Sequence, residues 1–146
     1  MTDRAKKPDM RLDFSAGSPE SIFTRFMFAW KKREIKNMLD MCSRSWIEKR
    51  PKAKEKLELW FGDIYLMGMK IIKVQKTDKR AKVTTKIAFR KFKTGSILSK
   101  RVSCELICER GAFDIHKGGD WRVNPVSLFI EIYDLLKANS TPTASA

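Results

Sequence analysis

Histidine is almost missing from this chain of 146 residues, which has one, and tyrosine is scarce at two. Acid–base chemistry at neutral pH therefore has few side chains to draw on beyond carboxylates and lysines. Cysteine occurs three times, an odd and sparse set that excludes a disulfide framework. Four residues along a strand separate Cys104 from Cys108 by about 13 Å, about twice what a disulfide spans, so these two and Cys42 are expected to be small buried hydrophobes. No apolar run approaches the roughly 20 residues of a membrane span, and residues 1–14 lack the apolar stretch of a secretion signal. The expected compartment is the cytoplasm. There is no Gly-x-Ser-x-Gly, no dinucleotide fingerprint and no phosphate-cradling glycine loop. The soft ligands are scattered, so neither a metal nor a cofactor is expected.

Negative charge is the remaining scarcity, with 17 Asp and Glu against 31 Lys and Arg and a net charge of +14. The imbalance is concentrated. Residues 70–101 hold twelve Lys or Arg and a single acid, Asp78. Within that stretch Ala81, Val83, Thr85, Ile87 and Phe89 alternate with Lys82, Thr84, Lys86 and Arg90, the period-two pattern of a half-buried antiparallel strand. Similar patterns over residues 65–75 and 98–110 give strands on either side, joined by turns at Thr77-Asp78 and Thr94-Gly95-Ser96. Residues 111–119 form a hairpin loop before a fourth strand at Trp121-Arg122-Val123.

The apolar face needs a cover. Ser18-Pro19-Glu20 combines a capping side chain, a proline at the first helical position and an acid near the positive end of the dipole. After it Ile22, Phe23, Phe26, Met27 and Trp30 recur at helical spacing. A second short helix runs through Ile35, Met38, Leu39 and Cys42, and a third over residues 52–61 carries Leu57, Trp60 and Phe61 to Gly62. Residues 43–50 read as a polar linker whose Trp46 plugs one end of the core. Asn124-Pro125 repeats the cap-and-proline signature, which predicts a last helix over residues 126–137, although β-branched content leaves a strand open there.

The fold class is thus α+β: three N-terminal helices packed on a curved four-stranded antiparallel sheet, with an extra C-terminal helix. Residues 1–16 read as a mobile basic arm, 17–137 as a single domain and 138–146 as a disordered tail. Trp30 and Trp121 are expected in the core.

Several fragments in this order resemble the nuclear-transport-factor-two-like superfamily, the cystatin-like cone that includes ketosteroid isomerase. They are Ser18-Pro19-Glu20, Ala29-Trp30, Met38-Leu39, Ser45-Trp46 and Gly119-Asp120-Trp121-Arg122-Val123-Asn124-Pro125, so the resemblance spans residues 18–125. A helix after Pro125 departs from the common pattern, in which a strand closes the sheet. The resemblance implies a cone whose interior is either a pocket, with Trp30, Trp46, Trp60, Tyr65 and Trp121 as lining, or a filled core. It also implies either isomerase- and dehydratase-like chemistry or non-catalytic assembly.

An isomerase site of that kind needs a carboxylate base and an acid facing the interior. Asp63 and Tyr65 read instead as a helix-to-strand corner, and His116 as a turn histidine, so no catalytic residue is assigned. Charge remains. Lys82, Lys86, Arg90, Lys91, Lys100 and Arg101 form a basic sheet surface, too extensive for the lysines that defend an edge strand. The expected function is a non-enzymatic binding and assembly module acting through protein contacts and as a homo-oligomer, its basic sheet facing an anionic partner. The alternative is a nucleic-acid-binding accessory protein using those six residues on phosphates. A small-molecule isomerase or dehydratase is the third.

Overall fold

The computed structural model describes residues 9–91, 95–109 and 119–140, with nothing stated of the side chains of 138–140. His116 and most of the loop expected around it lie outside the described residues. The chain runs α1 (Pro19–Lys31), α2 (Ile35–Asp40), α3 (Arg44–Glu48), α4 (Ala53–Phe61), β1 (Ile64–Lys76), β2 (Arg80–Lys91), β3 (Leu98–Glu109), β4 (Asp120–Asn124) and α5 (Pro125–Ser140). The four strands form an open antiparallel meander in the order β1-β2-β3-β4.

Both cap-and-proline signatures start helices. Ser18 Oγ accepts the Ser21 amide at 3.1 Å, and Asn124 Oδ1 accepts the Val126 amide at 3.2 Å, so α5 is a helix and the strand alternative falls. The polar linker over residues 43–50 contains the short helix α3, because Ser43 caps it and Glu109 binds its first turn. Glu109 accepts the Arg44 amide at 2.7 Å and the Ser43 hydroxyl at 2.7 Å. Burial pushes the Glu109 carboxyl up, but the bonds from Ser43, Arg44 and Ser45 outweigh it and hold it below its ordinary value.

Alternation on β2 divides the sheet. Ala81, Val83, Thr85, Ile87 and Phe89 are all buried and face α1, whose Phe23, Phe26, Met27 and Trp30 are buried against them. The Trp30 indole donates to the Ile64 carbonyl at 2.9 Å, which satisfies its one polar atom in the core. Cys42 and Cys104 are buried as expected, and burial pushes the Cys104 thiol up to about 12, so neither is a thiolate at neutral pH. Cys108 and Trp121 differ from expectation in being only half-buried. They share a row across β3 and β4 that lies beyond the first residue of β2, where the sheet is two strands wide; Trp121 packs against the margin of the core there.

Further along the edge of β3 that β4 pairs with, α5 replaces a missing strand. β4 pairs only with residues 105–109 of β3, after which Pro125 turns the chain into a helix along the open edge. Ser127 Oγ accepts the Glu105 amide at 2.8 Å and Glu131 Oε2 the Ser103 amide at 2.6 Å. A four-residue helical step of about 6 Å thereby matches a two-residue strand step of about 6.8 Å, and the edge is closed without a further strand. Among the described residues no helix is long and apolar enough to cross a membrane.

The chain before α1 is fastened at Asp9, which exchanges both backbone hydrogen bonds with Lys76. Beside this bridge Glu20, with no exposed surface, accepts the Asp13 amide at 2.7 Å and faces Lys76 Nζ at 3.6 Å. Replacing Lys76 by Met would leave a buried carboxylate without its cation. The expected loss in urea denaturation is about 3 kcal/mol, partly restored by adding Glu20→Gln; a loss below about 1 kcal/mol would show that the pair is not a clamp.

Glu109 gives a pH test of the α3 anchor. Its folded carboxyl is depressed, so its stabilisation is fully present above the ordinary value of 4.5 and is lost as pH falls through the lowered one. Glu109→Gln is therefore expected to be less stable than wild type at neutral pH, with the gap closing below pH 4.5. Thermal melts that keep the same gap at every pH would contradict this.

Candidate functional site

The side of the sheet away from the helices is where the charge collects. Register places Lys70 opposite Lys86 and Lys86 opposite Arg101, so three cations stand in one row across three strands. At a strand spacing of about 4.8 Å the row is about 10 Å long. All three side chains are exposed, and among the described residues none has a carboxylate partner. Like charges directly opposite one another on a sheet are destabilising.

Neighbouring rows complete the face. Lys73, Thr84 and Ser103 form one, with the two hydroxyls 3.3 Å apart, and Gln75, Lys82 and Glu105 the next. Glu105 is the face's own carboxylate and is held by Arg80 at 3.3 Å at the far end. On the other side of the charged row Gly68, Ala88 and Ser99 leave a shallow strip of small residues. Arg90 follows, opposite Tyr65 and half-buried, with a buried Nε that has no hydrogen-bond partner.

Of the six basic residues expected to act together, the structure groups Lys82, Lys86, Arg90 and Arg101 on this face. Lys91 and Lys100 have the opposite parity. Lys91 pairs with buried Ile64 and lines a groove on the helix side, and Lys100 stands opposite buried Ile87. Their parity was readable, since Lys91 continues the series from Ala81 to Phe89 and Lys100 that of Val102 and Cys104. Lys70 and Lys73 belong to the face and were missed. Bulges at Met67 and Ile72 shift the register of β1, so its inward residues run Ile64, Leu66, Met69, Ile71, Val74. The steps of two and three in that series are the signal that could have located them.

The five aromatic residues considered as pocket lining do not converge on one cavity, although the Trp46 and Trp60 rings meet with centroids 5.8 Å apart. Trp30 and Trp46 are core residues, at 1% and 8% exposure. Tyr65 lies on the other side of the sheet, with the Arg33 guanidinium 4.2 Å from its ring centroid. Trp121 stands at the far end of β4. Trp60 lines a surface groove of about 370 Å3 with Leu59, Phe129 and Tyr133, and its ring stacks on Phe129 at 5.0 Å. Asp63, exposed at the α4–β1 corner, borders that groove, whereas Tyr65 does not. Among the described residues no three His, Cys, Asp or Glu side chains converge on a point where a metal could sit.

Comparison with known proteins finds no matching family model and no matching curated protein. Among solved structures, the chain is similar to the solution structure of a SEC-C motif-containing protein from Rhodopseudomonas palustris. That similarity has a TM-score of 0.57 at 14% identity and covers 75% of this chain and 77% of the other. At this identity the likeness is one of fold: the α+β arrangement described above occurs in a bacterial protein of different sequence.

Proposed function

We propose that this protein is a non-enzymatic binding and assembly module of the nuclear-transport-factor-two-like kind, holding an anionic macromolecule on the outer face of its sheet. The observation that carries this reading is the row Lys70–Lys86–Arg101. Folding gains nothing from three cations aligned across three strands, and each is destabilised by the other two. An anion laid across the row reverses the sign of that interaction and releases the counterions the row gathers. Ser103, half-buried beside the row, adds a neutral hydroxyl, whereas Thr84, 3.3 Å from it, is buried. In this reading the protein works in the cytoplasm, as a homo-oligomer, without metal or cofactor.

Nucleic acid is the second reading, favoured by the basic side chains outnumbering the carboxylates on this face. Base recognition has little to work with there: among the described residues Tyr65 is the aromatic residue of the face, and Arg33 already covers its ring, while Phe92 lies outside the described residues. Contacts would therefore be to phosphates.

The test is fluorescence anisotropy at several salt concentrations with labelled polyglutamate and a labelled DNA duplex. The wild type is compared with the triple variant Lys70→Glu, Lys86→Glu, Arg101→Glu. The wild type is expected to bind polyanion at low salt and the variant to lose it, with stability within about 1 kcal/mol because the charges are exposed. For the duplex, three lost phosphate contacts would flatten the slope of log affinity against log salt by about 2 to 3. Failure of the wild type to bind either polymer at low salt, or equal binding by the triple variant, would overturn the proposal.

A further inference from the structure

β1 is an edge strand. Among the described residues its one backbone bridge on the outer side is Asp9 to Lys76, at its last residue. Among the described residues most of this long strand has no partner along its outer edge, which natural sheets ordinarily cover, as α5 covers β3. Alongside it runs a groove of about 540 Å3 between β1, α1 and the chain before α1, with a floor that includes Leu66, Met69 and Ile71. Phe14 and Phe28 stand over it at 57% and 52% exposure, and Leu12 at 43%. The segment carrying Leu12 and Phe14 is not loose, since Asp9, Asp13 and Ser18 are each hydrogen-bonded in place. These apolar side chains are held out toward the groove.

Charge decides what could lie there. Lys31 and Lys70 form the groove's rim, and Lys70 begins the row that continues through Lys86 to Arg101. The nearby carboxylates are already engaged: Asp9 by Arg11, Asp13 by the Ser15 amide and Glu20 by Lys76. A second copy pairing through β1 would bring Lys70 and Lys73 against their own equivalents, which like-charge repulsion opposes. An acidic strand would meet no such penalty. In a strand added to this edge, side chains of one parity would enter the apolar groove and those of the other would lie on the outer face beside Lys70 and Lys73.

We propose that the free edge of β1 takes an extended peptide of alternating apolar and acidic side chains as an additional strand. This rests on the reading of the outer face as an anion holder and names its partner as an acidic β-strand. Backbone hydrogen bonds to β1 would supply affinity, while the groove and the cationic row would select the sequence.

The probe is a fluorescein-labelled peptide of alternating valine and glutamate, long enough to span residues 68–75, titrated with the full chain. Two further versions are N-methylated, one at every valine and one at every glutamate. Amides of alternate residues point to opposite edges of a strand, so one methylated peptide should lose about tenfold or more in affinity and the other should retain it. Phe28→Glu, at an exposed position, should lose about tenfold or more with an unchanged melting temperature. Equal binding by all three peptides, or tight binding by Phe28→Glu, would overturn the edge site.

Polyglutamate separates the two levels of the proposal. If it binds the wild type as tightly as the valine–glutamate peptide does, the anion-holding face stands and the edge site falls. If neither binds at low salt, both fall. A DNA duplex that binds the wild type but not the triple variant, and displaces the peptide from the wild type, would make nucleic acid the occupant of the cationic row, overturning the acidic strand. A dimer in sedimentation velocity that Phe28→Glu dissolves would make the second copy the occupant, with the same consequence.

Discussion

Two hydrogen-bonded registers, β1 on β2 and β2 on β3, hold Lys70, Lys86 and Arg101 in one line. Neither lysine can move its backbone out of the line without breaking the ladders that also place Val83, Ile87 and Phe89 in the core, because one residue of slip would exchange the two faces of the sheet. The charged row and the hydrophobic core are therefore consequences of the same pairing. Burial on one side fixes the repulsion on the other.

The edges of the sheet are treated unequally. The open end of β3 is covered by α5, whose Ser127 and Glu131 take up amides that a further strand would have bonded. β1 has bulges at Met67 and Ile72 and lysines at positions 70 and 73, devices that discourage pairing with another copy. They leave an apolar groove beside it, however, and they present to that groove a charge that an acidic strand would complement. At this one edge, like charges oppose pairing of β1 with the β1 of another copy, and the groove beside it is apolar.

Much of this was legible in the sequence. Strong alternation from Ala81 to Phe89 gave the central strand and its two faces, and the two cap-and-proline signatures gave the starts of α1 and α5. Helix α3 was not legible, because the bond that anchors it comes from Glu109, distant along the chain. The half-exposure of Trp121 follows from where β2 begins relative to β4, which depends on registers that composition does not encode. Membership of the basic face was partly readable: parity alone separates Lys91 and Lys100 from the rest. Lys70 and Lys73 required the bulges to be recognised. The groove beside β1 was invisible, since it depends on how the chain before α1 is tied back to Lys76.

The central claim is that the cationic row is a burden on folding that an anionic partner relieves. Chemical denaturation of the unliganded protein as a function of sodium chloride tests it directly. Screening weakens repulsion between exposed charges, so the wild type should gain stability with salt. Lys86→Gln, which removes the middle cation and keeps most of its stem, should be more stable than wild type at low salt and gain less from added salt. Lys54→Gln, an equal change in net charge at an exposed position on α4, should do neither to the same degree. If Lys86→Gln is less stable than wild type at low salt, or responds to salt as Lys54→Gln does, the row is not under electrostatic tension and the account is contradicted.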